Sequence, residues 1–338
     1  PGLSLTVRAA GSDMTGGPLN ESIILDFTAH LNKINEIGGD YAIVEPGVFY
    51  RDFEKETLKK DLLFPSYPAS KSLCALGGMV ANNAGGEKSL RYGKTEKYIR
   101  ELNVVLSDGN EYIFRPLTLQ ELEDKKSQQN FEGQIYREIH QLIESNYEAI
   151  HAAKPDVSKN SAGYYLWNVW NRKTFDLTKL FVGSQGTLGL ITKIKLGLIR
   201  PKKYSKLLVI FLRDLKPLGD LINAVMRFNP ESFESYDNHT LKLAMKFFPG
   251  MFFKFLPEIK MILTGGLPKL VLIAEFTGDD EKDVDRKLDD VRNAVKSGFN
   301  VKTHITRTTA EAEKYWTIRR ESFNLLRKHV GDKHTAPF

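Results

Sequence analysis

The sequence predicts an α+β protein of two domains, a glycine-punctuated domain over residues 1–201 and an α+β sandwich over 202–338. Three observations predict it. At 338 residues the chain is longer than one compact core usually takes. Within residues 1–201 three stretches set clustered glycines in or beside β-forming sequence. After Pro201 the pattern changes to strands alternating with well-formed helices.

Taken in order, Leu3 to Ala10 (LSLTVRAA) is a short strand candidate. A polar glycine loop, Gly11 to Gly17, leads from it to a second strand, Ser22 to Asp26. No helix follows the loop, so neither a Rossmann nor a Walker phosphate site is present; both place phosphates on a helix N-terminus. The loop reads either as a hairpin turn or as an anion nest of successive backbone N–H groups. Tyr41 to Gly47 is a strand ending in a Pro-Gly turn, and Tyr50 to Lys60 has helical periodicity.

Pro65 to Gly93 is the stretch around which the domain is organised. It holds Gly77, Gly78, Gly85 and Gly86 with two asparagines between the pairs. It is expected to be neither helix nor regular strand, because glycine loses the most backbone entropy and serves where backbone must approach something closely. Cys74, Ala75, Leu76, Met79, Val80 and Ala81 make it a buried loop, whose N–H and C=O groups need partners. A large polar cofactor supplies them in one reading; in the other the stretch is a structural turn between domains.

Ile99 to Leu106 and Glu111 to Phe114 flank Ser107-Asp-Gly-Asn110, a hairpin signal. Leu117 to Ser127 and Tyr136 to Ala152 read as helices. Ser158 to Trp170 is polar and then aromatic, and its aromatics are expected in the core. In Leu180 to Leu196, Gly183, Gly186 and Gly189 interrupt β-forming sequence, which signals a bulge or close approach to a ligand. Beyond Pro201, strands are expected at 206–212, 232–237, 270–276 and 301–306. Helices are expected at 217–228, 240–248, 279–297 and 309–329. Glu311 and Glu313 open the last helix and basic residues close it, as the helix dipole favours. Such alternation builds an α+β sandwich.

Composition narrows the function. Hydrophobic content of 41% and charged content of 27% are those of a globular protein. One cysteine, Cys74, excludes an internal disulfide framework and a cysteine-rich metal site. The net charge of +6 is spread along the chain and reads as solvated surface, not as a nucleic-acid footprint. No run has the length of a membrane span, and no secretory signal opens the chain. The N-terminus lacks Met and begins within a pattern, so it reads as a cut edge.

Five motifs carry a resemblance: RAAGSDMTGG at 8–17, VEPGV at 44–48, PASKSLCALGGMVANNAGG at 68–86 with RYG at 91–93, VVLSDG at 104–109 and VGSQGTLGLIT at 182–192. Together they resemble the FAD-linked oxidase family, whose flavin domain is shared with vanillyl-alcohol oxidase and p-cresol methylhydroxylase. Within that family the chain is most similar to the glycolate oxidase flavin subunit and the D-lactate and D-2-hydroxyglutarate dehydrogenases. After residue 201 the resemblance rests mainly on YWTIRRES at 315–322.

The resemblance implies a two-subdomain FAD-binding domain of the p-cresol methylhydroxylase type, followed by an α+β sandwich cap domain with ferredoxin-like elements. It implies that Ala10, Gly11, Ser12, Asp13 and Met14 wrap the FAD pyrophosphate. Pro68, Ser70, Cys74, Ala75, Gly77, Gly78 and Asn82 would line the diphosphate, ribityl and ring region. Gly186, Thr187 and Ile191 would close over the adenine end. The first glycine loop carries no histidine, so the FAD is expected to be non-covalent. Gln185 stands where the family more often has Glu. Relative to the family, the start of the flavin domain and the end of the cap are expected to be missing.

The chemistry implied is oxidation of a small 2-hydroxy acid by hydride transfer to the flavin. A guanidinium suits the substrate carboxylate, since it pairs with it bidentately. Arg319 stands at the position the resemblance marks for this, and a surface helix arginine is the competing reading. Arg320, about 100° away on the helix, cannot face the same way. The base is expected in a segment beyond residue 338, and no metal set is expected within the chain. Residues 247–270 mix Phe, Met and Leu with lysines. They read either as a partly buried helix with a loop or as a peripheral contact of a cytoplasmic protein with the inner membrane face, where quinone is reduced. An iron–sulfur partner is the other acceptor. Two further functions stay open: a flavin oxidase of another alcohol or sugar acid, and a non-catalytic flavin-binding or assembly subunit of a larger dehydrogenase.

Overall fold

The computed structural model describes residues 3–13, 16–157, 159–160, 162–247 and 266–330. The chain divides into two compact units, Pro1–Pro201 and Lys202–Phe338.

The first unit opens with β1 (Leu5–Arg8) and β2 (Ile23–Asp26), which pair with each other in parallel. The segment between them is therefore a crossing connection and not a hairpin turn, because a hairpin joins only antiparallel strands. A five-stranded sheet follows, built from β3 (Ile34–Ile37), β4 (Tyr41–Val44), β5 (Ile99–Val105), β6 (Glu111–Phe114) and β7 (Leu190–Gly197). Its order is β3-β4-β7-β5-β6, and every pairing is antiparallel. β3 has no counterpart in the sequence reading; its INEI alternates too weakly to stand out, and β4 recruits it.

Helices α1 (Tyr50–Leu58), α2 (Leu76–Ala81), α3 (Ser89–Tyr92), α4 (Leu119–Ser127), α5 (Phe131–Ser145), α6 (Tyr147–Ala152) and α7 (Thr178–Phe181) belong to this unit. α4 starts on a reciprocal cap. Thr118 Oγ1 accepts from the Glu121 N–H, and the Glu121 carboxylate accepts from the Thr118 N–H. The core joins Tyr50 and Phe53 of α1, Leu102 and Val104 of β5, Phe114 of β6, Tyr136 of α5 and Ile194 of β7, all sealed from solvent.

The organising stretch is not all loop. α2 includes both Gly77 and Gly78, and α3 lies within the same stretch. Glycine propensity argues against a helix, but tertiary packing decides. Leu76, Met79 and Val80 are 1–2% exposed and lie at helical spacing on the core side. The glycines stand where other chain comes close: a Cβ on Gly77 would sit 2.5 Å from Pro46 Cβ.

In the second unit four strands form one antiparallel sheet of order β11-β8-β10-β9: β8 (Tyr204–Leu212), β9 (Ser232–Asp237), β10 (Leu270–Gly278) and β11 (Lys302–Ile305). The path β8–α8–β9–β10–α10–β11, with α8 (Leu218–Met226) and α10 (Glu281–Gly298), is the ferredoxin-like arrangement. α9 (Asn238–Phe247) is set between β9 and β10, and α11 (Thr309–Val330) follows β11. The run LLVIFL in β8 shows why it is central. Leu207, Val209 and Phe211 pack toward α9 and α11, while Leu208, Ile210 and Leu212 pack toward α8 and α10. Alternation in a strand with two buried faces reads as one continuous apolar run. Asp280 caps α10 through the N–H groups of Lys282 and Asp283.

Candidate functional site

Three glycine-bearing segments of the first unit meet. Where β1 ends, the chain enters the loop from Ala9 to Gly17, in which Gly11 and Gly16 have φ of +63° and +78°. A Cβ on Gly78, in α2, would lie 3.5 Å from Ala9 Cβ, and one on Gly186 (φ +75°) would lie 3.3 Å from Val7 Cγ2. The loop before β7 is tied to the end of α2 by backbone: Gly183 N–H donates to Val80 O (3.0 Å) and Gln185 N–H to Ala81 O (2.9 Å). Gln185 Nε2 also donates to Asn82 Oδ1 (3.1 Å). A carboxylate at 185 could only accept there, from an Asn82 amide turned round. The departure from the family's Glu thus fits the partner this chain provides.

A cleft of about 250 Å³ opens at the first loop, bordered by Ala9, Ala10, Gly11, Asp13, Leu19 and Phe49 among others. Asp13 Oδ2 accepts from the Gly17 N–H (3.1 Å), which bends the loop back on itself. Arg8 pairs with Asp26 across β1 and β2 (3.0 Å). The guanidinium and the neighbouring Thr28 both lower the Asp26 carboxyl pKa, Thr28 by the larger effect. Below this floor Gly47 is pressed against the 27–31 segment. Its N–H donates to Leu31 O (2.7 Å), and a Cβ there would lie 2.1 Å from Phe27 O.

The structure brings Ala10, Gly11, Ser12, Asp13, Gly78, Asn82, Gly186 and Thr187 to this meeting of loops. Met14 lies outside the described residues. Gly77 backs onto Pro46. Pro68 and Ser70 lie in a turn that hydrogen-bonds Lys71 N–H to Pro68 O and Cys74 N–H to Ser70 O. Cys74, Ala75 and Ile191 are not on the open side. Cys74 and Ala75 are 4% and 1% exposed, and Ile191 lies within β7, opposite Val104, in the core. Arg319 belongs to the second unit. Its Nε donates to Glu234 Oε2 (2.9 Å), so α11 is tied to β9 through it.

Sequence reasoning missed two contributors. Tyr164 belongs to the aromatic run expected in the core. Tyr165 and Trp170 are indeed buried, but Tyr164 is 43% exposed and its hydroxyl meets Thr187 Oγ1 (2.7 Å). Gly47 carried a signal, the Pro-Gly turn, but nothing local showed that a carbonyl from residue 27 would close on it.

Burial pushes the Cys74 thiol up to about 12 from its ordinary 9.0. It is therefore expected to resist thiol reagents at pH 8 in the native protein and to react once urea unfolds it. Because the folded pKa is the raised one, its contribution to stability is full below about pH 9 and fades as pH rises toward 12.

The donor set suits a flavin dinucleotide. Glycine backbone at positive φ and small side chains let a diphosphate approach at close range. The cleft of about 250 Å³ has room for a diphosphate, and the neighbouring Gly78 and Gly186 carry no side chain.

Comparison with known sequences agrees. Residues 1–114 match the FAD binding domain family, and residues 201–338 match the family of FAD linked oxidases, C-terminal domain. D-2-hydroxyglutarate dehydrogenase of Pseudomonas putida is 28% identical over 99% of this chain and 34% of its own length. Glycolate oxidase subunit GlcD of Bacillus subtilis is 26% identical over 94% of this chain and 56% of its own. The chain thus spans about a third of the first of these and about half of the second. Among solved structures, an alkyldihydroxyacetonephosphate synthase superposes with a TM-score of 0.65 at 16% identity, over 97% of this chain and 53% of that one. p-Cresol methylhydroxylase does so with 0.60 at 16%, over 96% and 59%. One family match thus falls on the glycine-loop domain and the other on the sandwich that follows it.

Proposed function

We propose that this chain is the flavin- and substrate-binding part of a dehydrogenase that oxidises a small 2-hydroxy acid such as D-lactate, glycolate or D-2-hydroxyglutarate. The observation that carries the reading is that D-2-hydroxyglutarate dehydrogenases match 99% of the chain, through both units. The meeting of glycine segments supports FAD as the cofactor. Bound FAD supplies the hydride acceptor.

The chain's own residues bind and orient. Backbone N–H groups of residues 10–13 hold the diphosphate, and the bare surfaces of Gly78 and Gly186 let the cofactor lie against backbone. Arg319 holds the substrate carboxylate. The Glu234 contact occupies its Nε edge and fixes the guanidinium, leaving other N–H donors for a carboxylate. No histidine of the described residues is assigned as the base. In the second unit His304 meets Glu311 at 2.6 Å.

The cofactor is non-covalent in this reading, since no histidine stands in the first glycine loop, RAAGSDMTGG at 8–17. Electrons leave to quinone or to an iron–sulfur cluster. The one cysteine is buried, so a cluster would be held elsewhere. We place the protein in the cytoplasm, with a peripheral contact at the inner membrane face. Of the segment proposed for that contact, residues 248–265 lie outside the described residues. No helix among the described residues is long and apolar enough to cross a membrane.

An absorbance spectrum before and after acid precipitation tests the reading. Flavin bands that pass into the supernatant, with dye reduction by 2-hydroxy acids, are expected. A chain that stays colourless with added FAD defeats the flavin assignment. Bound flavin that only other alcohols or sugar acids reduce defeats the substrate class.

A further inference from the structure

A second pocket of the first unit, of about 340 Å³, plays no part in the reading above. It is walled by Lys94, Lys97, Lys154 and Lys179 on its polar side, with Glu96 as its one carboxylate, and by Trp167 on its aromatic side. Four ammonium groups against one carboxylate leave the lining strongly positive.

The lysines differ in how they are held. Lys94 is 9% exposed, and its Nζ donates to Asn160 O (2.6 Å). Burial lowers its pKa, so taking up a nearby anion would offset a cost the fold already carries. Lys179 Nζ donates to Glu96 O (2.5 Å) and lies 3.7 Å from Asp176. Lys97 and Lys154 have no ion-pair partner among the described residues, although both line the pocket. Elsewhere many of this protein's lysines do find carboxylates, as Lys59, Lys71, Lys125 and Lys206 show.

The aromatic wall is also fixed. Trp167 is stacked on buried Tyr165, with centroids 5.2 Å apart and planes 24° from parallel. It stays half-buried and lines the pocket. Pro155 and Val157, the latter 61% exposed, add apolar surface at the rim. A rigid ring beside a cluster of cations suits a ligand that has both a planar ring and a phosphate.

We propose that this pocket binds a small ring-bearing phosphate ester, a mononucleotide, with its phosphate on Lys97 and Lys154 and its ring on Trp167. The site is distinct from the flavin loops: none of the residues assigned to the cofactor lines it.

The test is titration of the full chain with AMP and with inorganic phosphate at low salt. Binding is followed by calorimetry and by tryptophan fluorescence, with and without one equivalent of FAD. AMP is expected to bind about tenfold more tightly than phosphate, and its affinity should not change when FAD is present. K97A/K154A should weaken AMP about tenfold, and Trp167→Leu should reduce AMP to the affinity of phosphate. Lys97 and Lys154 are exposed, so that double variant keeps the fold. No saturable AMP binding, an unaltered K97A/K154A affinity, equal binding of AMP and phosphate, or competition by FAD would each overturn the proposal.

Discussion

Arg319→Lys is expected to lower kcat/KM for the best 2-hydroxy acid about a hundredfold, equivalent to about 2.7 kcal/mol of transition-state binding. The guanidinium sits on α11, held through Nε by Glu234 on β9. That contact uses one edge of a planar fork and leaves the rest to grip a carboxylate in two places. A lysine ammonium reaches as a point charge and cannot hold both Glu234 and a substrate in the same plane. Steady-state kinetics with an artificial dye check this. A substrate lacking the carboxylate should lose far less on the same substitution, since it never made the contact. If Arg319→Lys leaves kcat/KM within threefold, Arg319 is a structural tie between α11 and β9 and does not hold substrate.

Gly47→Ala is expected to destabilise the first unit by about 3 kcal/mol and to strip it of flavin. The added methyl would lie 2.1 Å from Phe27 O and 2.6 Å from Leu31 O, both backbone atoms, so no side chain can swing aside. The segment must move, and it is anchored to β1 through the Phe27 N–H to Arg8 O bond (2.9 Å). Strain at Gly47 therefore reaches the strand that leads into the 9–17 loop. Gly109→Ala is the matched control. Gly109 turns the β5–β6 hairpin at φ +81° with nothing near its Cβ position, so only the left-handed conformation is penalised, by about 1–2 kcal/mol. Urea unfolding followed by circular dichroism should show the lower transition shifting in Gly47→Ala with flavin released. Gly109→Ala should keep its flavin. Equal retention in the two variants would separate Gly47 from the cofactor loops.

Legible in the residues alone are the α+β class, the change of pattern after Pro201, the hairpin at Asp108-Gly109, the ordering of the second unit's strands and helices along the chain, and the motifs that resemble the FAD-linked oxidases. Each is written in short-range signals: residue alternation, turn dipeptides, capping acids and glycine spacing. The tertiary structure decided what those signals leave open. It made β1 and β2 parallel, although a glycine loop between two strands suggests a hairpin, because pairing direction depends on the route of the chain and not on loop composition. It turned Leu76–Ala81 into a helix against the propensity of its two glycines, since Leu76, Met79 and Val80 gain more by burial than the backbone loses. It drew Ile191 into the core and left Tyr164 outside to meet Thr187. Gly47 shows the reason: its role is set by the carbonyls of residues 27 and 31, which reach it only once the chain has folded back.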